Sequence, residues 1–167
     1  MIEVQKVTTK KELKQFVQFY YDLYRGNENA VPFIYFDEIA TLSRDKNPSF
    51  EYCEADYFLA HDGGKVVGRV AAIINHHANE RWNRKVVRFG WFDFIDDLEV
   101  SAALMKTVED WGREKGMTEI AGPLGFIDTD REGMLVEGYD KMATMYINYN
   151  YPYYVEHIAR IGGFEIS

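Results

Sequence analysis

Cysteine and proline are scarce in this chain. It contains one cysteine, Cys53, and 4 prolines among 167 residues. A single cysteine excludes a disulfide framework and a cysteine-rich zinc site, and we expect no bound metal. No apolar run approaches the roughly 18 residues that a membrane-spanning helix requires. The first residues also lack the basic and then apolar pattern of a secretory signal. The sequence therefore predicts a cytoplasmic protein with no membrane span.

Positive charge is also in short supply. The chain has 19 Lys and Arg against 27 Asp and Glu, for a formal net charge of −8. This balance disfavours functions that depend on non-specific attraction to nucleic acid or anionic lipid, and we expect no nucleic-acid partner. Apolar residues make up 47% of the chain and aromatic residues 16%, which is enough to build a core. The length predicts a single domain over residues 1–167.

Periodic patterns divide the chain into strands and helices. Strand-like patterns occupy residues 2–7, 55–61, 66–75, 86–95, 118–121 and 164–167. Helices are predicted after the cap Thr9, over residues 36–44, after the cap Asp96, and after Pro152. A polar turn is predicted over residues 79–85. The resulting order, β-α-α-β-β-β-α-β-α-β, describes an α/β (α+β) fold in which helices pack on a mixed sheet.

Several short motifs add detail to this order. They are residues 66–73 (VVGRVAAI), 89–92 (FGWF), 111–117 (WGREKGM), 122–126 (GPLGF), 135–140 (LVEGYD) and 150–154 (NYPYY), with a closing Gly163-Phe164. With these motifs the chain resembles the GNAT superfamily of acyl-CoA-dependent N-acyltransferases, and within it a subfamily of large bacterial GNAT-like proteins of unassigned substrate. The resemblance extends from about residue 31 to the end of the chain, and it implies the GNAT-like acyl-CoA N-acyltransferase fold.

The resemblance also implies a place for the acyl donor. In the family, acyl-CoA lies between two central parallel strands that diverge, here residues 86–95 and 118–121. Backbone groups at the end of the first strand hold the pantetheine, and the start of the following helix receives the diphosphate. The implied cofactor is acetyl-CoA or another acyl-CoA, used as a substrate. The residues expected to bind it are Phe94, Ile95, Asp96, Val100 and Ser101.

This segment departs from the family's phosphate-binding turn. Asp96 stands at the basic position of that turn, and Glu99 and Ser101 stand at its two glycine positions. Together with Asp97, the segment brings three carboxylates to the expected diphosphate site. Two like charges about 4 Å apart repel by roughly 1 kcal/mol even in water. An acyl-carrier protein is therefore an alternative donor, because its thioester brings no adenosine diphosphate.

Asp93 and two tyrosines are the candidate catalytic residues. Asp93 interrupts an aromatic run on a strand that should be buried, so it is either a general base for the attacking amine or a hydrogen-bonded structural carboxylate. The family often has a tyrosine as general acid, but Ala159 occupies that position here. Tyr153 and Tyr154 are the substitutes, and the tyrosine-rich segment around them either lines an acceptor pocket or packs on the sheet.

These observations predict an N-acyltransferase that moves an acyl group from a CoA-type thioester to an amine of a small molecule or a lipid. A non-catalytic GNAT-fold binding or assembly module is the alternative. A GNAT sheet normally ends with two strands after the last helix, and only the first of them begins here. We therefore expect residues 1–167 to be the N-terminal part of a longer protein. The remainder of that protein, or a second copy of the chain, would complete the sheet.

Overall fold

A mixed sheet forms the centre of the fold. The computed structural model describes residues 1–30, 34–127 and 150–164. In these ranges, neighbouring strands follow the order β1-β2-β3-β4-β5. Pairing is antiparallel from β1 to β4 and parallel between β4 and β5, which confirms the predicted mixed sheet. The strands are β1 (Ile2–Lys6), β2 (Cys53–Asp62), β3 (Lys65–Asn75), β4 (Val86–Phe94) and β5 (Glu119–Ala121).

Helices cover both faces of this sheet. They are α1 (Lys10–Leu23), α2 (Tyr35–Leu42), α3 (His76–Trp82), α4 (Leu98–Glu114) and α5 (Tyr153–Ile161), with a short 3-10 helix, Pro48–Glu51, before β2. Side chains of β3 point alternately to the two faces. Ala71 on one face packs in a cluster with Phe16 of α1, and Ala72 on the other packs with Leu104 of α4. β4 is buried on both faces, as its aromatic sequence predicts.

Two local predictions are wrong. Residues 79–82 of the predicted polar turn belong to α3, which begins directly after β3 because the Asn75 side chain caps it by accepting a hydrogen bond from the Ala78 backbone N–H at 2.9 Å. The N-cap of α4 is Asp97 and not Asp96, since an Asp97 carboxylate oxygen accepts from the Glu99 N–H at 2.9 Å. Of the predicted last strand, residues 165–167 lie outside the described part of the chain, as does the motif at residues 135–140.

A bulge in β4 sets which side chains face which helix. Arg69 pairs with Asp93 and Ala71 with Gly90, so β4 has one more residue than β3 between these positions. Trp91 accommodates the bulge with a φ of 46°, in the left-handed region that a tryptophan rarely adopts. Because the bulge shifts the alternation by one residue, Phe89 shares the α4 cluster with Phe92 and Phe94. Asp93 therefore lies beside Arg69 on the α1 face.

A glycine lets α4 lie close to β4. A Cβ added to Gly112 of α4 would lie 2.7 Å from a Val87 methyl group on β4. Atoms at that distance overlap, so the helix could not keep its position with a larger residue at 112. This contact holds the end of α4 against the start of β4. The start of α4 lies at the opposite end, where residues 95–97 connect it to β4 and where the candidate site lies.

Candidate active site

β5 pairs with the first part of β4 along its whole length, so the predicted divergence is not seen within β5 itself. Parallel pairing joins Val86–Arg88 of β4 to Glu119–Ala121 of β5, and it ends there within the described residues. The Leu124 N–H then donates to the Phe89 carbonyl at 2.9 Å. The Leu124 carbonyl oxygen passes so close to Gly90 that a Cβ on this glycine would lie 2.3 Å from it. Residues 122–126 thus cross β4 at Phe89 and Gly90, and the remaining end of β4 is left beside α5.

One face of α5 contacts the end of β4 and the junction that follows. The Tyr153 hydroxyl donates a hydrogen bond to the Phe94 carbonyl oxygen, and the Tyr154 hydroxyl donates to Asp93 Oδ1 at 2.8 Å. His157 Nε2 lies 2.7 Å from Asp96 Oδ1. These side chains can act together because residues three and four apart share one helix face.

Asp93 is held by a buried ion pair. Arg69 Nη2 lies 2.7 Å from Asp93 Oδ2, and its Nε donates to the same oxygen at 2.8 Å. The second oxygen of Asp93 accepts from Tyr154, so both oxygens have partners. Arg69 also donates to the Phe16 carbonyl of α1 at 2.9 Å, and its guanidinium lies over the Phe16 ring. The negative charge of Asp93 is therefore balanced inside the core.

A second polar cluster links α5 to the start of α4. His157 Nδ1 lies 2.7 Å from the Ser101 hydroxyl, and its Nε2 contacts Asp96. Ser101 is fully buried and His157 is 3% exposed, whereas the Asp96 side chain is 67% exposed. The Ser101 hydroxyl is therefore closed to a substrate in this arrangement, and the cluster fixes α5 against α4.

Three backbone N–H groups at the start of α4 donate hydrogen bonds to Asp97. Val100 N–H and Ser101 N–H both donate to the Asp97 carbonyl, at 3.0 and 3.3 Å. Glu99 N–H donates to the Asp97 side chain. Val100 is fully buried in the core, and Asp96, Asp97 and Glu99 carry like charge. A diphosphate at this position would have to compete with these contacts and with the carboxylates.

Tyrosines near Asp93 hold their protons strongly. Burial raises the pKa of Tyr153 and Tyr154 above the usual value of 10.0, and the negative charge of Asp93 raises both further. The pKa of Tyr24 is raised by burial and then by Asp93. The ring of Tyr24 stacks on Tyr151 at a centroid distance of 4.5 Å, next to Tyr153. These phenols remain neutral near pH 7, so they can donate hydrogen bonds or a proton.

The structure brings most of the predicted site residues into one cluster. Its members are Asp93, Phe94, Asp96, Ser101, Tyr153 and Tyr154. Ile95 lies at the edge of this cluster, and its N–H donates a hydrogen bond to the Val67 carbonyl oxygen of β3 at 3.0 Å. Val100 points into the core.

Arg69 and His157 are the members that sequence reasoning missed. A signal for each exists in the sequence. Arg69 is a charge within the apolar strand segment VVGRVAAI, and His157 follows Tyr153 by four residues, on the same face of a helix.

Neither a metal site nor a spanning helix is found in the part of the chain that the structure describes. Within residues 1–30, 34–127 and 150–164, no three His, Cys, Asp or Glu side chains cluster so that they could hold a metal ion. No helix in these ranges combines the length and the apolar character needed to cross a membrane.

Two curated bacterial proteins are similar to this chain in sequence. Protein YghO of Escherichia coli strain K12 is 31% identical over 159 residues, which cover 95% of this chain and 40% of that protein. A bacterial ceramide synthase of Caulobacter vibrioides is 31% identical over 140 residues, or 83% of this chain and 36% of the synthase. The chain thus spans 40% or less of the length of these relatives. No model of a known protein family matches it.

Solved structures with a similar fold are GNAT proteins and acetyltransferases. A tandem GNAT protein from the clavulanic acid biosynthesis pathway superposes with a TM-score of 0.57 at 15% identity, covering 72% of this chain and 35% of that protein. A predicted acetyltransferase from Clostridium acetobutylicum, solved with acetyl-CoA, gives a TM-score of 0.53 at 8% identity, covering 72% and 79% of the two chains. This chain therefore has the GNAT fold, which confirms the predicted resemblance at the level of structure.

Proposed function

We propose that this chain is an N-acyltransferase domain that moves an acyl group from a CoA-type thioester to an amine. The observation that carries the proposal is that β4 continues beyond its pairing with β5 and that its last residues lie against α5. In the proposal, the thioester arm enters beside the free end of β4 and bonds to the backbone of Phe94–Asp96. The GNAT fold supports this function, because solved structures that share the fold include acetyltransferases.

In this mechanism, Asp93 accepts a proton and Tyr153 donates one. The amine nitrogen attacks the thioester carbonyl carbon, the carbon–sulfur bond breaks, and the sulfur leaves as a thiolate. The amine gives a proton to the Asp93 carboxylate, and the thiolate takes the hydroxyl proton of Tyr153. Exchange with water then returns both groups to their starting states. The raised pKa of Tyr153 keeps its phenol protonated near pH 7, and it also makes the phenol a weaker acid than an exposed tyrosine, so proton transfer to the thiolate requires the donor to change the surroundings of this hydroxyl.

Positioning residues surround this pair. Arg69 balances the charge of Asp93, and the fully buried Tyr154 fixes its orientation. The Tyr153 hydroxyl donates a hydrogen bond to the Phe94 carbonyl oxygen, which is the acceptor that the pantetheine would use. Arrival of the donor would therefore displace this hydroxyl and free its proton for the sulfur.

The ceramide synthase relative favours a lipid amine as the acceptor. Ceramide is an N-acylated long-chain amine, and one curated relative is named a ceramide synthase. In this proposal the chain acylates an amine, and the acceptor is a long-chain lipid amine and not a water-soluble one.

The start of α4 favours a second candidate for the donor. Its first backbone donors bond within the chain, and three acidic residues stand there. A thioester on an acyl-carrier protein needs no diphosphate site at this helix, and a non-catalytic module needs no donor at all.

Calorimetry and turnover assays separate these candidates. The full chain is titrated at low salt with acetyl-CoA, a long-chain acyl-CoA and an acyl-carrier-protein thioester, and amide formation is followed with a long-chain amine. Tyr153→Phe should abolish turnover while donor binding persists, and Asp110→Asn, an exposed carboxylate change on α4, should alter neither. Asp93→Asn should also abolish turnover, and circular dichroism must show that it is folded because it leaves the buried Arg69 without its partner. Binding of the carrier thioester alone would identify the donor as a carrier protein. No binding of any thioester would contradict the enzyme and favour the non-catalytic module.

A further inference from the structure

A groove on the outer side of α1 reaches the edge of the cluster around Asp93 at Ile95. It has a volume of about 720 Å³ and runs along α1 to Lys65 and Val66 at the start of β3. Cavities of roughly 300–1,000 Å³ are typical of sites for small ligands. From Lys11 to Leu23 the helix rises by about 18 Å, which allows an extended ligand to lie along it.

The groove combines an apolar floor with a basic rim. Apolar side chains of Phe19, Leu23, Val66 and Ile95 line it. Three lysines also line it, and in the described ranges none of them lies within salt-bridge distance of a carboxylate. They are Lys11, Lys14 and Lys65.

The single acidic lining residue does not cancel this charge. Asp22 accepts hydrogen bonds from Arg25 at 2.8 Å and from Gln18 at 3.2 Å, so Arg25 balances the negative charge of Asp22. The groove is thus locally positive on a chain whose net charge is −8. Because salt screens charges beyond about 8–10 Å, an anion in the groove responds mainly to the nearby lysines.

Exposed apolar side chains stand beside the groove. Tyr35 lines it, and its neighbours Ile34 and Phe36 are 62% and 81% exposed. Large apolar side chains in contact with water next to a groove are typical of a surface that receives an apolar ligand.

We propose that this groove binds a single-chain lipid with an acidic head group. The chain lies on the apolar floor and the head group contacts the lysine rim. The floor reaches Ile95, which stands between Phe94 and Asp96 at the end of β4, so the bound chain ends next to the candidate active site. The binding itself does not depend on acyl transfer, and it can be tested without a turnover assay.

The probe is palmitate, measured by equilibrium dialysis against the full chain below the micelle concentration. We expect saturable binding of one palmitate per chain. Each methylene that leaves water strengthens binding by up to about fourfold, so octanoate should bind far more weakly. Hexadecylamine, with a similar chain and a positive head, should also bind at least about tenfold more weakly than palmitate.

Charge reversal tests the rim. Lys14→Glu and Lys65→Glu should each weaken palmitate binding by about tenfold, since each removes an attraction and adds a repulsion. Lys46→Glu makes the same charge change at an exposed turn outside the groove and should leave binding unchanged. Circular dichroism confirms that each variant is folded.

Four results would overturn the proposal. They are the absence of saturable palmitate binding, an equal loss of binding in Lys46→Glu, equal binding of hexadecylamine, and displacement of palmitate by CoA that carries no acyl chain. The last result would show a phosphate site without a lipid chain. A failed turnover assay with intact palmitate binding would instead contradict only the proposed acyl transfer.

Discussion

Arg69 and Asp93 lie opposite each other on β3 and β4 and form an ion pair with an N–O distance of 2.7 Å. They are 1% and 7% exposed, so neither charge is solvated by bulk water. The pair also joins α1 to the sheet through the Phe16 carbonyl. Asp93 can therefore stay in the core only while its partner is present.

Removal of the Arg69 guanidinium should destabilise the fold strongly. Arg69→Met leaves Asp93 buried without a balancing charge, which costs about 3–5 kcal/mol in the free energy of unfolding. Urea denaturation measures the loss. Arg84→Met breaks the exposed pair with Glu119 and should cost at most about 1 kcal/mol. Equal losses in the two variants would contradict the role assigned to the buried pair.

The two neighbouring tyrosines should differ in their effect on stability. Tyr154→Phe leaves Asp93 Oδ1 without its donor inside the core, at a cost of about 1–3 kcal/mol. Tyr153→Phe releases a carbonyl near the surface of the site, where water can replace the hydroxyl, and should cost less than about 1 kcal/mol. Urea unfolding of both variants measures the two losses of stability. A larger loss in Tyr153→Phe than in Tyr154→Phe would contradict the conclusion that Tyr154 is the buried partner of Asp93.

The buried tyrosines should make the fold sensitive to alkali. The pKa values of Tyr24, Tyr153 and Tyr154 are raised in the folded chain, first by burial, whereas the unfolded chain has the usual value of 10.0. Their contribution to stability is complete below pH 10 and is lost as the pH rises above it, because the unfolded phenols ionise first. Urea denaturation above pH 10 should show falling stability, with unfolding accompanied by tyrosinate absorbance. A stability that stays constant through this range would contradict the burial of these hydroxyls.

A methyl group at position 112 should push α4 away from β4. Gly112→Ala places its Cβ 2.7 Å from Val87 and should destabilise the fold by about 1–3 kcal/mol, although alanine favours a helix. Combining it with Val87→Ala should recover part of this loss relative to the sum of the two single changes. Thermal and urea unfolding of the double-mutant cycle gives the coupling. Strict additivity would mean that the helix already has room at this contact.

Local sequence signals predict much of the fold. Thr9 and Glu12 form the capping box expected at the start of α1, and Asp62 to Lys65 form the expected hairpin turn between β2 and β3. The mixed sheet also follows from the order of the elements, and its parallel pair is what the resemblance to the GNAT superfamily implies. These features depend on residues close in sequence, or on alternation within one strand.

The arrangement of the site depends on contacts that no local pattern contains. The bulge at Trp91 decides that Asp93 faces Arg69, and alternation alone would have placed Asp93 on the same face as Phe89. Arg69 and Asp93 are 24 residues apart, and His157 is 56 residues from Ser101. The sequence predicts Asp96 as the N-cap of α4, but its neighbour Asp97 caps the helix through the Glu99 N–H, and Asp96 contacts His157 from a distant helix instead.

Amide chemical shifts provide the most direct test of the thioester slot. The full chain, labelled with nitrogen-15, is titrated with a long-chain acyl-CoA and, separately, with an acyl-carrier-protein thioester. The account predicts that at least one donor shifts the amide signals of Phe94, Ile95 and Asp96 together with those of Tyr153 and Tyr154. Saturable binding that leaves these five signals unchanged, or no binding of either donor, would contradict it.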